Sequence, residues 1–420
     1  VSDFPYSRLR RFPDVEAENL QAWDATDELL VAEALRADAP GARIAVIGDE
    51  YGAITLALAA AGLRGIRVHQ DLATGRRALA NNARALLSAD AVSGTGRVEG
   101  GHADGVADLP REDTAFTSHE LGPELLSGAR LVLLQLPKAL AELEEIADAI
   151  ARWAAPDVVV IAGGRVKHMT LGQNEVLGRF FENVQAQRAQ RKSRLVIAAG
   201  PRPVAGTPPF PVVETHEGLT LVAHGGAFAG ARLDIGTRVL LDALALGRSQ
   251  LLQNGVEKAE TARNGGFAED SGGVSARTVV DLGCGTGALA VSYALAHPEV
   301  QVLATDRSAA AVASARETVR ANGVEDRVTV THDDAGSEIA AASVDIVLLN
   351  PPFHLGASVH TGAATRLFEA SARILRPGGE LWTVFNSSLA YRGELTRLIG
   401  ETEQILRTPK FTVTRSIRRS

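Results

Sequence analysis

The sequence predicts an α/β protein of two tandem Rossmann-like domains, each a mostly parallel sheet with helices on both faces. Three observations predict it. Short apolar strands alternate with helical segments along the whole chain, the pattern of parallel sheets joined by crossover helices. A stretch dense in proline and glycine, 200–218 (GPRPVAGTPPFPVVETHEG), interrupts that alternation near the middle and cannot be helix interior. The two halves also echo one another in order. A length of 420 residues suits two or three domains at roughly 100–200 residues each.

In the first half, strands are predicted at 43–47 (RIAVI), 66–69, 131–134, 157–162 and 194–199, with helices over 18–37 and 138–152. In the second half they fall at 277–281, 301–305, 327–331, 344–349 (VDIVLL), 379–384 and 411–417. The near-continuous apolar runs mark strands covered on both faces. The break divides the chain into expected domains 1–205 and 206–420. The polar, glycine-rich segment 253–276 reads as a surface linker ahead of the strand at 277.

The echo is specific. Gly48 and Asp71 stand at the same spacing as Gly283 and Asp306. LANN (79–82) resembles VRANG (319–323), and VLLQLPKAL (132–140) resembles VLLNPPFHL (347–355). This is duplication of one unit, not a solenoid.

Composition excludes several classes. A formal net charge of −7 argues against coating nucleic acid by bulk charge, so such a partner needs local basic patches. A single cysteine, Cys284, excludes an intrachain disulfide and a zinc cluster of Cys ligands. No metal is expected. The apolar runs fall short of the roughly 20 residues that span a bilayer. The polar N-terminal stretch VSDFPYSRLRRFPD has no signal-peptide core, so a soluble, cytoplasmic protein is expected.

The segment VVDLGCGTGALA (279–290) is a strand, a glycine loop and a helix start. Gly283, Gly285 and Gly287 permit positive φ and let a ligand approach the backbone. The helix N-terminus beyond favours negative charge. The spacing G-x-G-x-G differs from the dinucleotide pattern G-x-G-x-x-G. Asp281, just before the turn, is placed to hold a positive amine, which a nicotinamide cofactor lacks. Asp306 closes the next strand, where an acid accepts from both hydroxyls of an adenosine ribose, or else caps the following helix. Asp333 and Asp334 close the third strand at the same edge, where one of them can receive an adenine amine. Cys284 reads as a packing residue, since no partner base is identifiable.

The fourth strand ends in Asn350, Pro351, Pro352, Phe353 and His354. The Asn350 side-chain oxygen and the Pro351 carbonyl are two acceptors, the second held still by the rigid prolines. Two fixed acceptors suit an exocyclic –NH2. Accepting both hydrogens localises the nitrogen lone pair and stabilises the charge that develops as nitrogen attacks an electrophile. Phe353 offers a flat face for a planar base.

Together these residues resemble the class I S-adenosylmethionine-dependent methyltransferases. DLGCGTG looks like their first motif, Asp306 like their second acidic position, and NPPF like their amino-methylation motif. FAGARLDIGTRVLL (228–241), NPPFH (350–354), TVFNSSLAY (383–391) and KFTVTRSI (410–417) are similar to the ribosomal RNA guanine-N2 methyltransferases, whose N-terminal methyltransferase-like domain is degenerate. LQAWDATDELLV (20–31) and LLQLPKALAELEEIADAI (133–150) tilt the resemblance toward the large-subunit (23S) type.

The resemblance implies S-adenosylmethionine as cofactor, held by the glycine loop and Asp306, with Phe228, Asp234 and Gly236 helping to close its site. It implies that Asn350, Pro351 and Phe353 hold the guanine, with His354, Asn386 and Tyr391 lining the substrate side. It implies ribosomal RNA as partner; a monomer is expected. One departure stands out: Ala229 and Gly230 replace the family's Ser-Arg pair after the Phe, with Arg232 nearby as a substitute.

The first half fits a degenerate domain. In its loop, VIGDEYGAITLA, the acids Asp49 and Glu50 intervene and oppose a carboxylate-bearing cofactor; QLPK replaces Asn-Pro-Pro-Phe. No cofactor is expected there, and an RNA-gripping role is expected instead. The segment 184–213 carries Arg188, Arg191, Lys192, Arg194 and Arg202 without an acid, and the C-terminus carries Lys410, Arg415, Arg418 and Arg419. YSRLRR near the N-terminus is a weaker basic candidate. Competing readings are methylation of 16S rRNA, of DNA adenine or of a protein glutamine, and a non-catalytic RNA-binding assembly factor. The intact second loop argues against the last, and a nucleotide-dependent oxidoreductase leaves Asn-Pro-Pro-Phe unexplained.

Overall fold

The computed structural model describes residues 4–87, 114–246, 277–352 and 361–420. The expected linker 253–276 lies outside them. The chain forms two compact units, Val1–Pro211 with His224–Gly226, and Val212–Ala223 with Ala227–Ser420.

The first unit holds β1 (Ile44–Ile47), β2 (Ile66–His69), β3 (Phe116–Ser118), β4 (Leu131–Gln135), β5 (Val159–Arg165), β6 (Phe181–Ala186) and β7 (Ser193–Pro201). Their order in the sheet is β3-β2-β1-β4-β5-β7-β6. Pairing is parallel from β3 through β5, and antiparallel where β7 joins β5 and β6.

The second unit opens with the hairpin of β8 (Val212–His216) and β9 (Leu219–Ala223). Its main sheet contains β10 (Thr278–Leu282), β11 (Gln301–Asp306), β12 (Val328–His332), β13 (Val344–Leu349), β14 (Leu375–Asn386), β15 (Thr402–Arg407) and β16 (Phe411–Ile417). The order, β12-β11-β10-β13-β14-β16-β15, repeats that of the first unit, as does the pattern of parallel and antiparallel pairs. The duplication read from the echo is therefore a duplication of topology.

The apolar runs are explained by burial on both sides. Successive side chains of a strand point to opposite faces. In the second unit Val279, Val302, Ile346 and Leu348 enter one core, while Val280, Leu282, Val347 and Leu349 enter the other. In the first unit Ile44, Val46, Val68 and Leu133 face one layer, and Ala45, Ile47, Val132 and Leu134 face the other.

Several boundaries differ from expectation, and two shifts are the most informative. The first helix runs Ala25–Ala37 rather than from 18, because Asp24 caps it: its side chain accepts from Thr26 N, and Asp27 reaches back to Asp24 N. Such a box is worth about 1 kcal/mol. Strand β14 begins at Leu375, earlier than the expected 379, with an irregularity opposite Val344 and Ile346. The hairpin strand β9 was not expected either. Its edge is satisfied by side chains of the helix Ala309–Ala321 and its end: Thr318 Oγ1 accepts from Val222 N at 3.0 Å, and Asn322 Oδ1 from Thr220 N at 3.0 Å.

Candidate active site

In the second sheet the connection runs from β10 outward to β11 and β12 on one side, while β13 pairs on the other side of β10. The carboxyl ends of β10 and β13 are therefore side by side at the point where strand order reverses, where open α/β sheets bind ligands. The register Asp281↔Leu348 brings the glycine loop after β10 next to Asn350 after β13. Sequence spacing alone does not dictate that adjacency.

The three loop glycines do different work. Gly283 (φ +81°) and Gly285 (φ +54°) face open space, with nothing within 4 Å of where a Cβ would sit. Gly287 (φ +79°) caps the helix Ala288–Ala296, and a Cβ there would stand 3.1 Å from the Ala315 Cβ. The first two leave backbone open to a ligand, whereas the third lets two helices pack.

Asp281 is buried, and its Oδ2 accepts from Ala290 N at 2.9 Å, satisfying one of the orphan N–H groups of that helix. Burial pushes its carboxyl up to about 7; the Ala290 N–H opposes the rise and the Asp306 charge adds to it. Asp306 accepts from Gly285 N and from Ser308 N, each at 2.9 Å, so it ties the loop to the start of the next helix. The helix itself is capped by Ser308, whose hydroxyl accepts from Ala311 N.

Asp333 and Asp334 are both buried and both engaged. Asp333 accepts from Asp334 N, Ser337 Oγ and Glu338 N, and Asp334 forms an ion pair with Arg366. Burial, with Asp306 and Asp281 nearby, pushes the Cys284 thiol well up, which disfavours a thiolate and agrees with a packing role.

Asn350 is half-buried. Its Nδ2 donates to Asp234 Oδ2 at 3.1 Å and to Thr237 Oγ1 at 3.0 Å, while its Oδ1 is buried with no hydrogen-bond partner among the described residues. Thr383 Oγ1 donates to Leu349 O at 3.0 Å and braces the strand end just before it. Pro351 is buried; Phe353 and His354 lie outside the described residues.

Residues 235–246 are helical, and Asp234 caps that helix, accepting from Gly236 N at 2.9 Å and Thr237 N at 3.3 Å. A Cβ on Gly236 would sit 3.2 Å from Asn350 Oδ1, so glycine there admits the amide. The sequence reading missed Thr237; its signal was the helix-start pattern of LDIGT (233–237).

The remaining expected residues sit apart from this cluster in role. Phe228 is 60% exposed, in a turn where Ala229 takes φ +65°. Asn386 ends β14 and its Oδ1 accepts from Ser388 N and Oγ. Tyr391 packs edge-on against Phe368 and Phe385, at 5.3 and 5.6 Å between ring centres.

The same edge of the first unit is filled. Gly48 N donates to His69 O as Gly283 N donates to Thr305 O, so the residue matching Asp306 is Gln70, not Asp71 as the spacing suggested; the intervening segment is one residue shorter. Gln70 Nε2 donates to the carbonyls of Asp49 and Gly75. Asp49 is buried and accepts from Ile54 N and Thr55 N. It thus caps the same turn of helix that Asp281 caps in the second unit, but from inside the loop. Tyr51, also buried, hydrogen-bonds Asp14 at 2.7 Å.

The residues of the second site fit a nucleoside-bearing, amine-bearing cofactor. Open backbone at Gly283 and Gly285, two carboxylates at adjoining strand ends and an orphaned buried acceptor at Asn350 are what such a group and its acceptor amine require. Among the described residues no cluster of His, Cys, Asp or Glu could hold a metal ion, and no helix is long and apolar enough to cross a membrane.

Comparison with known proteins agrees with the geometry. Residues 268–415 match the methyltransferase small domain, and residues 2–95 and 107–202 match the RLMG N-terminal domain. A protein of Streptomyces avermitilis named ribosomal RNA large subunit methyltransferase G is 32% identical, over 98% of this chain and 97% of its own length. The protein of that name from Stutzerimonas stutzeri is 34% identical, over 100% and 99%. Among solved structures, a T. thermophilus 16S rRNA N2 methyltransferase (RsmC), in complex with AdoMet and guanosine, shares the fold with TM-score 0.66 at 20% identity, covering 94% of this chain and 92% of that one.

Proposed function

The chain belongs to the ribosomal RNA large subunit methyltransferase G family, and from that premise we propose that it methylates the exocyclic N2 amine of a guanosine in 23S ribosomal RNA. The observation that carries the reading is the Asn350 side chain: an amide held from one end, with its buried oxygen unpartnered among the described residues beside the glycine loop.

S-adenosylmethionine, the cofactor of this fold, supplies an electrophilic methyl group on a sulfonium. In the proposed arrangement Asp306 accepts from the ribose hydroxyls and Asp281 faces the amine of the methionine portion. Open backbone at Gly283 and Gly285 admits the ligand, and Phe228 and Gly236 flank the site. Asn350 Oδ1 and the Pro351 carbonyl accept the two hydrogens of the guanine amine. That would fix the amine plane and stabilise the positive charge on nitrogen as its lone pair bonds the methyl carbon and the C–S bond breaks to leave a neutral thioether, an effect worth several kcal/mol at a preorganised site. The cationic nitrogen would then lose its proton to solvent water, so no strong base is needed beforehand. Phe353 stacks on the base, with His354, Asn386 and Tyr391 on the substrate side; these roles rest on the sequence. Since the guanine amine is paired in a duplex, the target base is unpaired or flipped.

The first unit, with its loop filled by Gln70, Asp49 and Tyr51, serves as RNA grip rather than as a second catalytic site. Three of the C-terminal basic residues are engaged within the fold: Arg415 with Glu380, Arg418 with Ala372 O and Arg419 with Thr396 O. The tip of the β6–β7 hairpin is the better candidate, because Arg188 and Lys192 are exposed there.

The test is transfer of labelled methyl groups to separate 16S and 23S RNA, naked and assembled, followed by digestion to nucleosides. Label in N2-methylguanosine from 23S RNA is the expected result. Label on another atom, or in 16S RNA alone, overturns the assignment.

A further inference from the structure

We propose that Asp234 and Thr237 are positioning residues for methyl transfer, clamping the Asn350 amide so that its oxygen alone faces the substrate amine. The inference rests on the reading of Asn350 as the acceptor for that amine. It gives these residues a role distinct from closing the cofactor site.

Asp234 Oδ2 accepts from the backbone N–H groups of Gly236 and Thr237, so that oxygen is an acceptor. The atom of Asn350 that faces it at 3.1 Å is therefore the –NH2. Thr237 Oγ1, at 3.0 Å, takes the second hydrogen. With both Nδ2 hydrogens bound, rotation about the amide's terminal torsion is blocked, and Oδ1 is fixed on the opposite side. That oxygen is buried without a partner among the described residues. Buried acceptors are nearly always satisfied, and one left open beside a binding loop is an acceptor awaiting a donor. A free asparagine presents either end to a ligand; a clamped one presents only its acceptor. An exocyclic amine, with two donors, is compatible with that end and repelled by the other.

The clamp is itself anchored. Asp234 is held by the backbone N–H groups of Gly236 and Thr237, at the first turn of the helix 235–246. Gly236 lets the amide come close, since a Cβ there would crowd both Asp234 Oδ2 and Asn350 Oδ1. The motif LDIGT thus builds one device: Asp caps, Gly clears, Thr closes.

The first unit carries the same device in altered form. Gln135 occupies the strand-end position matching Asn350, since Ile47↔Leu134 pairs as the β10 and β13 ends do. Its Nε2 donates to Asp27 Oδ1, at the third helical position after the capping Asp24, where the second unit has Thr237. A strand-end amide held by the first turn of the preceding helix therefore belongs to the repeated unit. In the second unit that hold is combined with an open acceptor.

The experiment uses the full chain. Thr237→Val keeps shape and removes the acceptor; Thr237→Ser restores it; Asp234→Asn keeps a capping group but no longer dictates which end of the amide faces it. Single-turnover transfer to RNA should fall roughly 10–100-fold in Thr237→Val, with S-adenosylmethionine affinity within about twofold, and should return toward wild type in Thr237→Ser. Asp234→Asn should fall between. A second readout needs no substrate. In protein labelled with nitrogen-15 asparagine, the Asn350 –NH2 pair, identified by its loss in Asn350→Ala, should be protected from exchange in wild type and shifted and deprotected in Thr237→Val. Unchanged –NH2 resonances in Thr237→Val, or a rate loss matched by equal loss of cofactor affinity, would overturn the clamp. If wild type transfers nothing to guanine yet the resonances behave as expected, the clamp stands and the guanine assignment falls.

Discussion

Gln70 stands in the first unit where Asp306 stands in the second. Each follows the strand residue whose carbonyl receives the first loop glycine, His69 for Gly48 and Thr305 for Gly283. Their chemistry is opposite. Asp306 accepts from Gly285 N and keeps the loop backbone turned toward the strand end. Gln70 is buried and donates into the carbonyls of Asp49 and Gly75. The first unit is therefore expected to bind no S-adenosylmethionine. Titration calorimetry on the full chain should give one cofactor per chain, and a stoichiometry of two would contradict the filled loop.

Asp306→Ala removes the acceptor for both Gly285 N and Ser308 N and, in the proposed site, for the ribose. Hydrogen bonds to a charged group are worth about 1.5–3 kcal/mol, so the cofactor Kd should rise by about 10–100-fold. Gln70→Ala should leave that Kd unchanged, because it lies in the other unit. Calorimetry on the two variants side by side checks both statements.

Much of this was legible in the sequence, and the limits are instructive. The central strands were readable because burial on both faces leaves near-continuous apolar runs, as in VDIVLL. The short edge strands β3, β6 and β15 were not, since an edge needs no such run. The glycine loop and Asn350 announce themselves by residue type. Their adjacency comes from the β10–β13 pairing, and the Asn350 clamp joins residues 116 positions apart, which no local pattern encodes. The echo between halves was right about duplication, yet the shared spacing pointed to Asp71, because spacing ignores a one-residue shortening that hydrogen bonds reveal. The acids of the first loop were expected to repel a ligand. Asp49 instead turns inward and caps a helix.

Asp281 gives a pH dependence with a definite sign. Burial raises its carboxyl from the ordinary 3.8 to about 7. Between those values the folded chain holds a proton that the unfolded chain has released, so this group lowers stability as pH rises through that window, and its effect is complete above about 7. The difference is worth at most about 4 kcal/mol. Asp281→Asn removes the titration. The melting temperature of the variant minus that of wild type should therefore increase from pH 5 to pH 8. Cofactor affinity should move the other way in wild type, strengthening with pH as the carboxylate forms opposite the ammonium, and should stay flat in the variant. Thermal melts and calorimetry at both pH values test the pair.

Asn350→Ala should separate binding from chemistry. The side chain is proposed to touch the acceptor amine, not the cofactor, so S-adenosylmethionine affinity should stay within about twofold. The rate of transfer should fall by about 100–1,000-fold, the usual loss when one preorganised hydrogen-bond partner is removed from a transition state. Filter-bound label measures the rate and calorimetry the affinity. Unchanged turnover would remove Asn350 from the mechanism.

The hairpin between β6 and β7 makes a prediction about RNA that distinguishes neighbouring cations. Arg191 and Lys192 form its tip with φ +48° and +64°, a left-handed pair that glycine or asparagine would hold at less cost. All three of Arg188, Arg191 and Lys192 are exposed, and Arg191 is already ion-paired with Glu28. If this tip contacts phosphates, Arg188→Ala and Lys192→Ala should each weaken RNA binding. Each should also reduce the slope of log affinity against log salt by about 0.7–0.9, the share of one phosphate contact. Arg191→Ala should do less, because its charge is partly neutralised within the fold. Binding measured over a range of salt concentrations decides it: equal affinity and slope in all three variants would place the RNA elsewhere. A larger loss at Arg191 than at Lys192 would mean that Glu28 releases it on binding.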